Sequence, residues 1–180
     1  MTGLELLRLA AMAALGGADG QGWPTWQRID YSAWDPSGLM VRHPHDAYVL
    51  LGDVAALEAL PAEVVAVVSL CRLGTAQSPA PGIAGQDHVE MWLIDEADRR
   101  HNPHLEFVLH DAVAALEELR AQRRTVLLHC VAAQSRTPTV AALYGASVTG
   151  MSATQALADV RSALGRAEPN PTFAEVLRDW

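Results

Sequence analysis

The sequence contains no lysine, so all thirteen of its basic residues are arginine. The 21 acidic residues outnumber them and give a net charge of −8, which argues against a general binder of nucleic acid or of anionic membranes. Only two cysteines occur among the 180 residues, too few for a disulfide scaffold. We therefore expect a single cytoplasmic domain with no nucleic-acid partner and no membrane partner.

Long uncharged hydrophobic runs are also missing. Residues 4–15 place leucine and alanine on one helical face, but Glu5 and Arg8 interrupt the run. The pattern predicts a short amphipathic helix, and neither a membrane span nor a signal peptide. We expect residues 1–44 to form this helix and an aromatic-rich arm, packed on a domain that spans residues 45–180. The alternative is that the arm packs against another domain or partner.

The remaining chain alternates two kinds of hydrophobic pattern. Apolar and β-branched runs predict strands at residues 48–51, 64–70, 89–94 and 125–128. Helical patterns lie between and after them, and Asn102 with Pro103 is expected to open one helix as N-cap and first residue. This alternation indicates an α/β fold with a single central, mostly parallel sheet flanked by helices.

Residues 126–137 combine a strand, a tight loop and the start of a helix. Apolar strand formers end at Cys130, small and polar residues follow, and a helical pattern begins at Pro138. Such a loop points backbone N–H groups and the helix dipole at one spot, where Arg136 adds a planar fork of donors. A thiol in that field loses its proton easily, which gives the nucleophile and oxyanion cradle that attack on phosphorus requires. For Cys130 considered alone, a buried cysteine at a strand end is the alternative.

The pattern His-Cys-x5-Arg-Thr resembles the signature loop of the protein tyrosine phosphatase superfamily, most closely its dual-specificity branch. The matching residues are His129, Cys130, Ala132, Ser135, Arg136 and Thr137. Ala133 stands where that branch usually has glycine, which permits backbone angles that alanine dislikes. The order of the flanking motifs extends the resemblance over residues 47–180, and the members that the chain resembles are bacterial.

The resemblance implies a two-step hydrolysis of phosphomonoesters through a phosphocysteine. Cys130 is then the nucleophile, Thr137 hydrogen-bonds its sulfur, and His129 fixes the loop. Phosphate is held by Arg136 and by the backbone of the loop, which comprises Val131, Ala132, Ala133, Gln134, Ser135 and Arg136. No metal or other cofactor is expected, because the loop supplies the positive charge.

The resemblance also implies a general acid on the polar loop that precedes the helix, thirty-odd residues before the cysteine. Asp98 and Asp95 both lie in this region. We prefer Asp98 on its spacing to Cys130, and Asp95 stays open. At least one of the two is then an ordinary solvated loop acid.

The residues inside the loop bear on the substrate class. Inositide phosphatases of this superfamily carry lysines there, whereas residues 131–134 are uncharged in this chain. We therefore expect a singly phosphorylated protein or small phosphomonoester as substrate. Phosphotyrosine is the default, and phosphoserine or phosphothreonine becomes a substrate where the pocket is shallow.

Cys71 follows the strand expected beside the catalytic strand. Some relatives place a second cysteine there that traps the oxidised nucleophile, which implies a reversible Cys71–Cys130 disulfide. The alternative is a buried core cysteine.

Five histidines are candidate metal ligands, namely His43, His45, His101, His104 and His110. None has the Cys/His or Asp/His spacing of a zinc site. We expect them to be solvated loop histidines.

Two other function classes stay open. A pseudophosphatase that binds phosphate without turnover is favoured by Ala133. A sulfur-transfer or arsenate-reducing enzyme uses a similar loop, but those families generally have a shorter loop or lack the Arg-Thr ending. Similar bacterial domains accompany ADP-ribosylglycohydrolases, so association with such an enzyme is a further hypothesis about partners.

Overall fold

The computed structural model describes residues 31–73 and 80–180, so the amphipathic helix predicted at residues 4–15 lies outside the described residues. The described strands are β1 (Met40–His43), β2 (Asp46–Gly52), β3 (Val64–Ser69), β4 (His88–Glu90) and β5 (Thr125–His129). They form one sheet in the order β1-β2-β5-β3-β4. The β1–β2 pair is antiparallel and the other three pairs are parallel, which confirms the predicted mostly parallel sheet.

Four α-helices occur in the described ranges, and they are α1 (Leu105–Ala121), α2 (Arg136–Thr149), α3 (Ala153–Leu164) and α4 (Pro171–Asp179). Short 3-10 helices are formed by Ser32–Trp34, Val54–Ala59, Gly85–Asp87 and Arg99–His101. Helix α3 begins with a capping box, in which the side chains of Ser152 and Gln155 each accept a hydrogen bond from the other residue's backbone N–H. The predicted alternation of strands and helices is therefore confirmed.

Strand β5 is buried at every position and lies in the middle of the sheet. Its side chains alternate between two hydrophobic cores. Val126 and Leu128 belong to the larger core, which the four helices cover, whereas Leu127 belongs to a smaller core with Val54 and Cys71. Because parallel strands flank β5 on both sides, the loop that follows it lies at the centre of the carboxyl edge of the sheet, where α/β sheets bind their ligands.

Strand β4 is shorter than predicted, because it ends at Glu90 and not near Ile94. Its partner β3 ends at Ser69, whose carbonyl accepts a hydrogen bond from Met91 N at 2.7 Å. Beyond that bond the chain has no strand to pair with, so the segment from Met91 onward is a loop above the carboxyl edge of the sheet.

The predicted N-cap role of Asn102 is wrong, because α1 begins three residues later, at Leu105. The side chain of Asn102 instead accepts a hydrogen bond from Ile94 N at 3.0 Å and donates one to Ile94 O at 2.8 Å. Both groups of the Asn102 side-chain amide are thus directed at Ile94 and not at the start of α1. Asn102 therefore closes the polar loop between Ile94 and α1, which we call the acid loop (residues 94–102).

Candidate active site

The loop between β5 and α2, residues 130–135, has the predicted strand-to-helix context. Cys130 follows β5 directly and is 1% exposed, and Arg136 is the first residue of α2. This segment is called the cysteine loop below. The 3-10 helix that starts at Val54 lies next to the cysteine loop, because Val54 N donates to Val131 O at 3.1 Å. The loop is thus held on one side by the segment that follows β2.

Ala133 has a positive φ of 54°, in the left-handed region that alanine rarely adopts. Its side chain is fully buried in the larger core. The left-handed conformation costs an L-residue roughly 1–2 kcal/mol, which glycine does not pay. The position that departs from the family pattern is therefore one where the backbone favours glycine.

Arg136 connects the cysteine loop with the acid loop. Its Nη1 donates to Leu93 O at 3.0 Å, and its Nε lies 3.5 Å from Oδ2 of Asp95. That separation marks an ion pair but not a well-directed hydrogen bond, so Nε is a buried donor without a hydrogen-bond acceptor among the described residues. The Nε–H of the guanidinium is therefore available to a further acceptor.

The two candidate acids occupy different environments. Asp95 faces Arg136, and its Oδ1 accepts a hydrogen bond from Asn170 Nδ2 at 2.9 Å. Asp98 caps the 3-10 helix Arg99–His101 and pairs with the guanidinium of Arg100, with Nη2–Oδ2 at 2.6 Å. Hydrogen bonds from Arg100 lower the pKa of Asp98. The structure brings Asp95, and not Asp98, to Arg136, which directly follows the cysteine loop.

The start of α4 holds both loops. Asn170 donates from its side chain to Asp95, while its backbone N–H donates to Oγ of Ser135 at 3.1 Å. Oδ1 of Asn170 also caps α4 by accepting from Phe173 N at 3.1 Å. Thr172 adds a hydrogen bond to Ala97 O in the acid loop. One helix terminus therefore sets the distance between the acid loop and the cysteine loop.

His129 is fully buried behind the cysteine loop. Its Nδ1 lies 3.1 Å from Cys130 O, and its Nε2 lies 2.6 Å from Oγ of Ser69 on β3. Burial lowers the pKa of His129 to about 4, so the imidazole is neutral near pH 7. With so low a pKa the ring is a weak base, and its role in fixing the loop stays a prediction.

Thr137 lies on the first turn of α2 and is fully buried. Its hydroxyl reaches Gly52 O at 3.5 Å, the upper limit for a hydrogen bond. This long contact leaves the hydroxyl hydrogen weakly engaged, and its interaction with the sulfur of Cys130 stays a prediction.

The carboxylate of Asp53 is fully buried, and it binds the segment before β1. It accepts backbone N–H bonds from both flanks, namely from Ser37, Gly38, Leu39, Ala55 and Ala56. Arg166, from the loop between α3 and α4, adds a contact of 3.3 Å to the same carboxylate. The next residues of that loop also reach the cysteine loop, because Glu168 N donates to Gln134 O. Asp53 thus links three segments that border the site.

Cys71 is buried one residue beyond Leu70, whose N–H donates to His129 O at 2.8 Å. Burial raises the pKa of the Cys71 thiol, and the charge of the nearby Cys130 raises it further. Both cysteines are free. The structure therefore places Cys71 beside the catalytic strand, and the disulfide stays a prediction.

The expectation of solvated loop histidines is wrong for His43 and His45, and His110 lies in α1 and not in a loop. His43 is buried and not solvated, because its Nε2 lies 2.9 Å from Ala141 O and its Nδ1 accepts from His45 N at 3.0 Å. His45 forms an ion pair with Asp159. No group of three histidine, cysteine or acidic side chains that could hold a metal ion occurs among residues 31–73 and 80–180. No helix in the same part of the chain is long and apolar enough to cross a membrane.

Sequence reasoning missed three residues that contact the site. Ser69 and His88 lie behind His129, and Asn170 bridges the two loops. Asn170 with Pro171 is a sequence pattern typical of a helix start, but the hydrogen bonds of Asn170 to the loops depend on how α4 packs. Ser69 and His88 gave no sequence signal, since their contacts follow from strand order and register.

Comparisons with known proteins agree with this geometry. The family described as "Dual specificity phosphatase, catalytic domain" matches residues 69–180, more than half of the chain. Dual specificity protein phosphatase 1 of Arabidopsis thaliana is 32% identical over 80 residues, which cover 44% of this chain and 40% of that protein. The match thus spans less than half of that relative's length.

Solved structures share the fold. Human DUSP28 is 26% identical, with a TM-score of 0.64 over 78% of this chain and 90% of that chain. The PTP-2 phosphatase of Cydia pomonella is 24% identical, with a TM-score of 0.64 over 79% of this chain and 90% of that chain, a likeness that shows the fold alone. Since the family match covers most of the described domain and includes the cysteine loop, the chain belongs to the dual specificity phosphatase family.

Proposed function

We propose that this chain is a cysteine-dependent phosphomonoester hydrolase that acts through a phosphocysteine. The observation that carries the proposal is the buried Nε of Arg136, a donor without a hydrogen-bond acceptor among the described residues, six positions after Cys130. Buried donors without an acceptor are rare, and a phosphoryl oxygen suits the planar fork of a guanidinium. Family membership supports phosphatase activity in general.

In the first step, the thiolate of Cys130 attacks phosphorus and the bond to the leaving oxygen breaks. Arg136 and the N–H groups of the cysteine loop bind the non-bridging oxygens, while the dipole of α2 favours their negative charge. A carboxylic acid donates its proton to the leaving oxygen. In the second step, water attacks phosphorus, its proton passes to that carboxylate, and the sulfur leaves as thiolate.

We assign the acid to Asp95, although spacing favoured Asp98. Asp95 faces the arginine that holds phosphate, and the side chain of Asn170 orients it. Asp98 is instead bound to Arg100.

The substrate class follows from the cysteine loop. Residues 131–134 carry no charge that could bind a second phosphate. A singly phosphorylated tyrosine is therefore the first substrate class, with phosphoserine and phosphothreonine after it, and the Arabidopsis relative is named a dual specificity protein phosphatase. The free cysteines fit a cytoplasmic location, and association with an ADP-ribosylglycohydrolase stays a prediction.

Hydrolysis of p-nitrophenyl phosphate in the presence of EDTA tests the proposal. We expect turnover by the wild type, none by Cys130→Ser, and a phosphoenzyme trapped by rapid acid quench that Cys130→Ser does not form. Phosphotyrosine, phosphoserine and phosphothreonine peptides of one sequence then rank the substrates. Turnover that survives in Cys130→Ser would overturn the mechanism.

A phosphate-binding protein without turnover is the second candidate. The backbone strain at Ala133 favours it, because the left-handed conformation burdens the loop that must close around phosphate. Vanadate or phosphate binding with no hydrolysis of any of the three phosphopeptides would identify this candidate.

A further inference from the structure

Three buried polar side chains form a row behind Cys130. Oγ of Ser69 lies 2.6 Å from Nε2 of His129 and 2.7 Å from Nε2 of His88. The other ring nitrogen of His129 lies 3.1 Å from the carbonyl oxygen of Cys130. All three side chains are almost completely excluded from solvent. The row crosses the sheet from β4 through β3 to β5, because Ser69 is the register partner of His129.

The hydrogens of this row have one consistent direction. A carbonyl oxygen can only accept, so Nδ1 of His129 carries the hydrogen that points at Cys130. The ring is neutral near pH 7, because burial lowers its pKa to about 4, and its Nε2 is therefore an acceptor. Ser69 must donate to that nitrogen, and its oxygen then accepts from the N–H of His88.

We propose that Ser69 and His88 are positioning residues that set the reactivity of Cys130 through His129. The catalytic role of Ser69 and His88 rests on the proposed function, whereas the test of their effect on Cys130 does not require turnover. Hydrogen bonds aligned head to tail polarise one another, so the donor that reaches the Cys130 carbonyl is stronger than an isolated one. The N–H dipole of His129 offsets the negative end of that carbonyl next to the sulfur, which favours the thiolate.

Removal of the Ser69 hydroxyl frees His129 to change tautomer. The ring hydrogen can then move to Nε2, which leaves a lone pair on Nδ1 facing the carbonyl of Cys130. Two acceptors at that distance repel, so the peptide after the cysteine rotates and the loop loses its shape. The hydrogen bond from His88 prevents this indirectly, because it directs the Ser69 hydrogen toward His129.

Other charged groups also act on His129. Asp53 raises its pKa, whereas His88 and Arg136 lower it. Asp87, which precedes His88, is paired with Arg124. The variants for a test must therefore remove the row without changing Asp53, Asp87 or Arg136.

The test measures the pH profile of Cys130 alkylation by iodoacetate, mapped by mass spectrometry, which needs no turnover. The variants are Ser69→Ala, His88→Leu and His88→Gln, together with the double variant. We expect Ser69→Ala and His88→Leu to move the midpoint of the profile upward by about one pH unit, so that alkylation below it slows about tenfold. His88→Gln keeps an amide N–H for Ser69 and should stay near the wild type. The double variant should shift no further than Ser69→Ala, because the row is already cut.

Thr125→Val is the matched control, since it removes a buried hydroxyl at the opposite end of β5. Each variant is checked for native near-UV circular dichroism, and Ser69→Ala with His88→Gln carries the test where His88→Leu does not fold. An unchanged midpoint in folded Ser69→Ala would overturn the proposal, and so would additive shifts in the double variant. A shifted midpoint in a protein without turnover supports the row and refutes the phosphatase, whereas turnover with an unshifted midpoint does the reverse.

Discussion

Oδ2 of Asp95 lies 3.5 Å from Nε of Arg136, so a candidate proton donor and the cation for phosphate face each other across the site. The other carboxylate oxygen of Asp95 is held by Asn170 at 2.9 Å. Because both oxygens have defined neighbours, the acid is oriented before a substrate binds. The relationship leads directly to the first prediction.

Asp95→Asn should lower kcat/KM for phenyl phosphate about 100-fold, the usual effect of losing a general acid. The pH profile should also lose its basic limb, since no acid remains to be deprotonated. p-Nitrophenyl phosphate has a better leaving group and should show a smaller loss.

Asp98→Asn is the control for this prediction. It weakens the pairing with Arg100 but keeps an amide oxygen that can cap Arg99–His101, so it should leave both the fold and the basic limb in place. If Asp98→Asn loses the limb and Asp95→Asn keeps it, the role belongs to Asp98.

Ala133→Gly should change the free energy of unfolding by less than about 1 kcal/mol, because two effects nearly cancel. Relief of the left-handed conformation contributes roughly 1–2 kcal/mol, while the lost methyl group and the freer unfolded chain cost a similar amount. Turnover should equal or exceed that of the wild type, as expected where the backbone favours glycine.

Ala132→Gly provides the comparison, since Ala132 has no positive φ to relieve. It should destabilise the protein by about 1 kcal/mol in urea denaturation. Equal losses for Ala132→Gly and Ala133→Gly would show that the backbone of Ala133 is not strained.

Asp53→Ala should destabilise the fold by about 2–4 kcal/mol, because it leaves five part-buried or buried N–H groups without their acceptor. It should also weaken phosphate binding, since Val54 beside Asp53 and Glu168 near Arg166 both donate to the cysteine loop. Urea denaturation and vanadate titration measure the two effects. Glu118→Ala, at an exposed position of α1, should stay within about 0.5 kcal/mol of the wild type. Equal stability of both variants would show that the Asp53 network contributes nothing.

Stability should fall as the pH decreases from about 6.5 to 4. The pKa of His129 is about 4 in the fold, lowered by burial from the ordinary 6.5, so the unfolded chain binds the extra proton in this window. The contribution of neutral His129 to stability is fully present above about pH 6.5, and about 1–3 kcal/mol of it is lost as the pH falls to about 4. Burial of His43 lowers its pKa as well and adds a loss of the same sign. His129→Asn should flatten the pH dependence, and a wild-type stability that rises on acidification would contradict this account.

Peroxide should convert Cys71 and Cys130 into a disulfide. Peroxide oxidises the Cys130 thiolate to a sulfenic acid and is itself reduced to water, and the Cys71 sulfur then attacks the sulfenic sulfur with release of water. Non-reducing peptide mapping detects the bond, and Cys71→Ala should lose activity irreversibly under the same treatment. Full recovery of Cys71→Ala with dithiothreitol would argue that Cys71 is only a core residue.

The parts of the site that the sequence predicts are contiguous. The strand, the cysteine loop and the start of α2 occupy one stretch, so apolar runs and the Cys130–Arg136 spacing suffice to find them. Ser69 and His88 could not be found this way, because only the register of β3 between β5 and β4 brings them to His129. The N-cap prediction for Asn102 was wrong for a similar reason, since its real partner, Ile94, lies across a loop.

The start of α4 has a consequence for how activity arises during folding. Asn170 joins Ser135, 35 residues earlier, and Asp95, 75 residues earlier. The chain must extend through Thr172 before the acid loop can receive its hydrogen bonds from α4. A partly synthesised chain can pair all five strands and form the cysteine loop, yet its Asp95 lacks the hydrogen bond from Asn170. The proposed acid is thus oriented only when α4 docks.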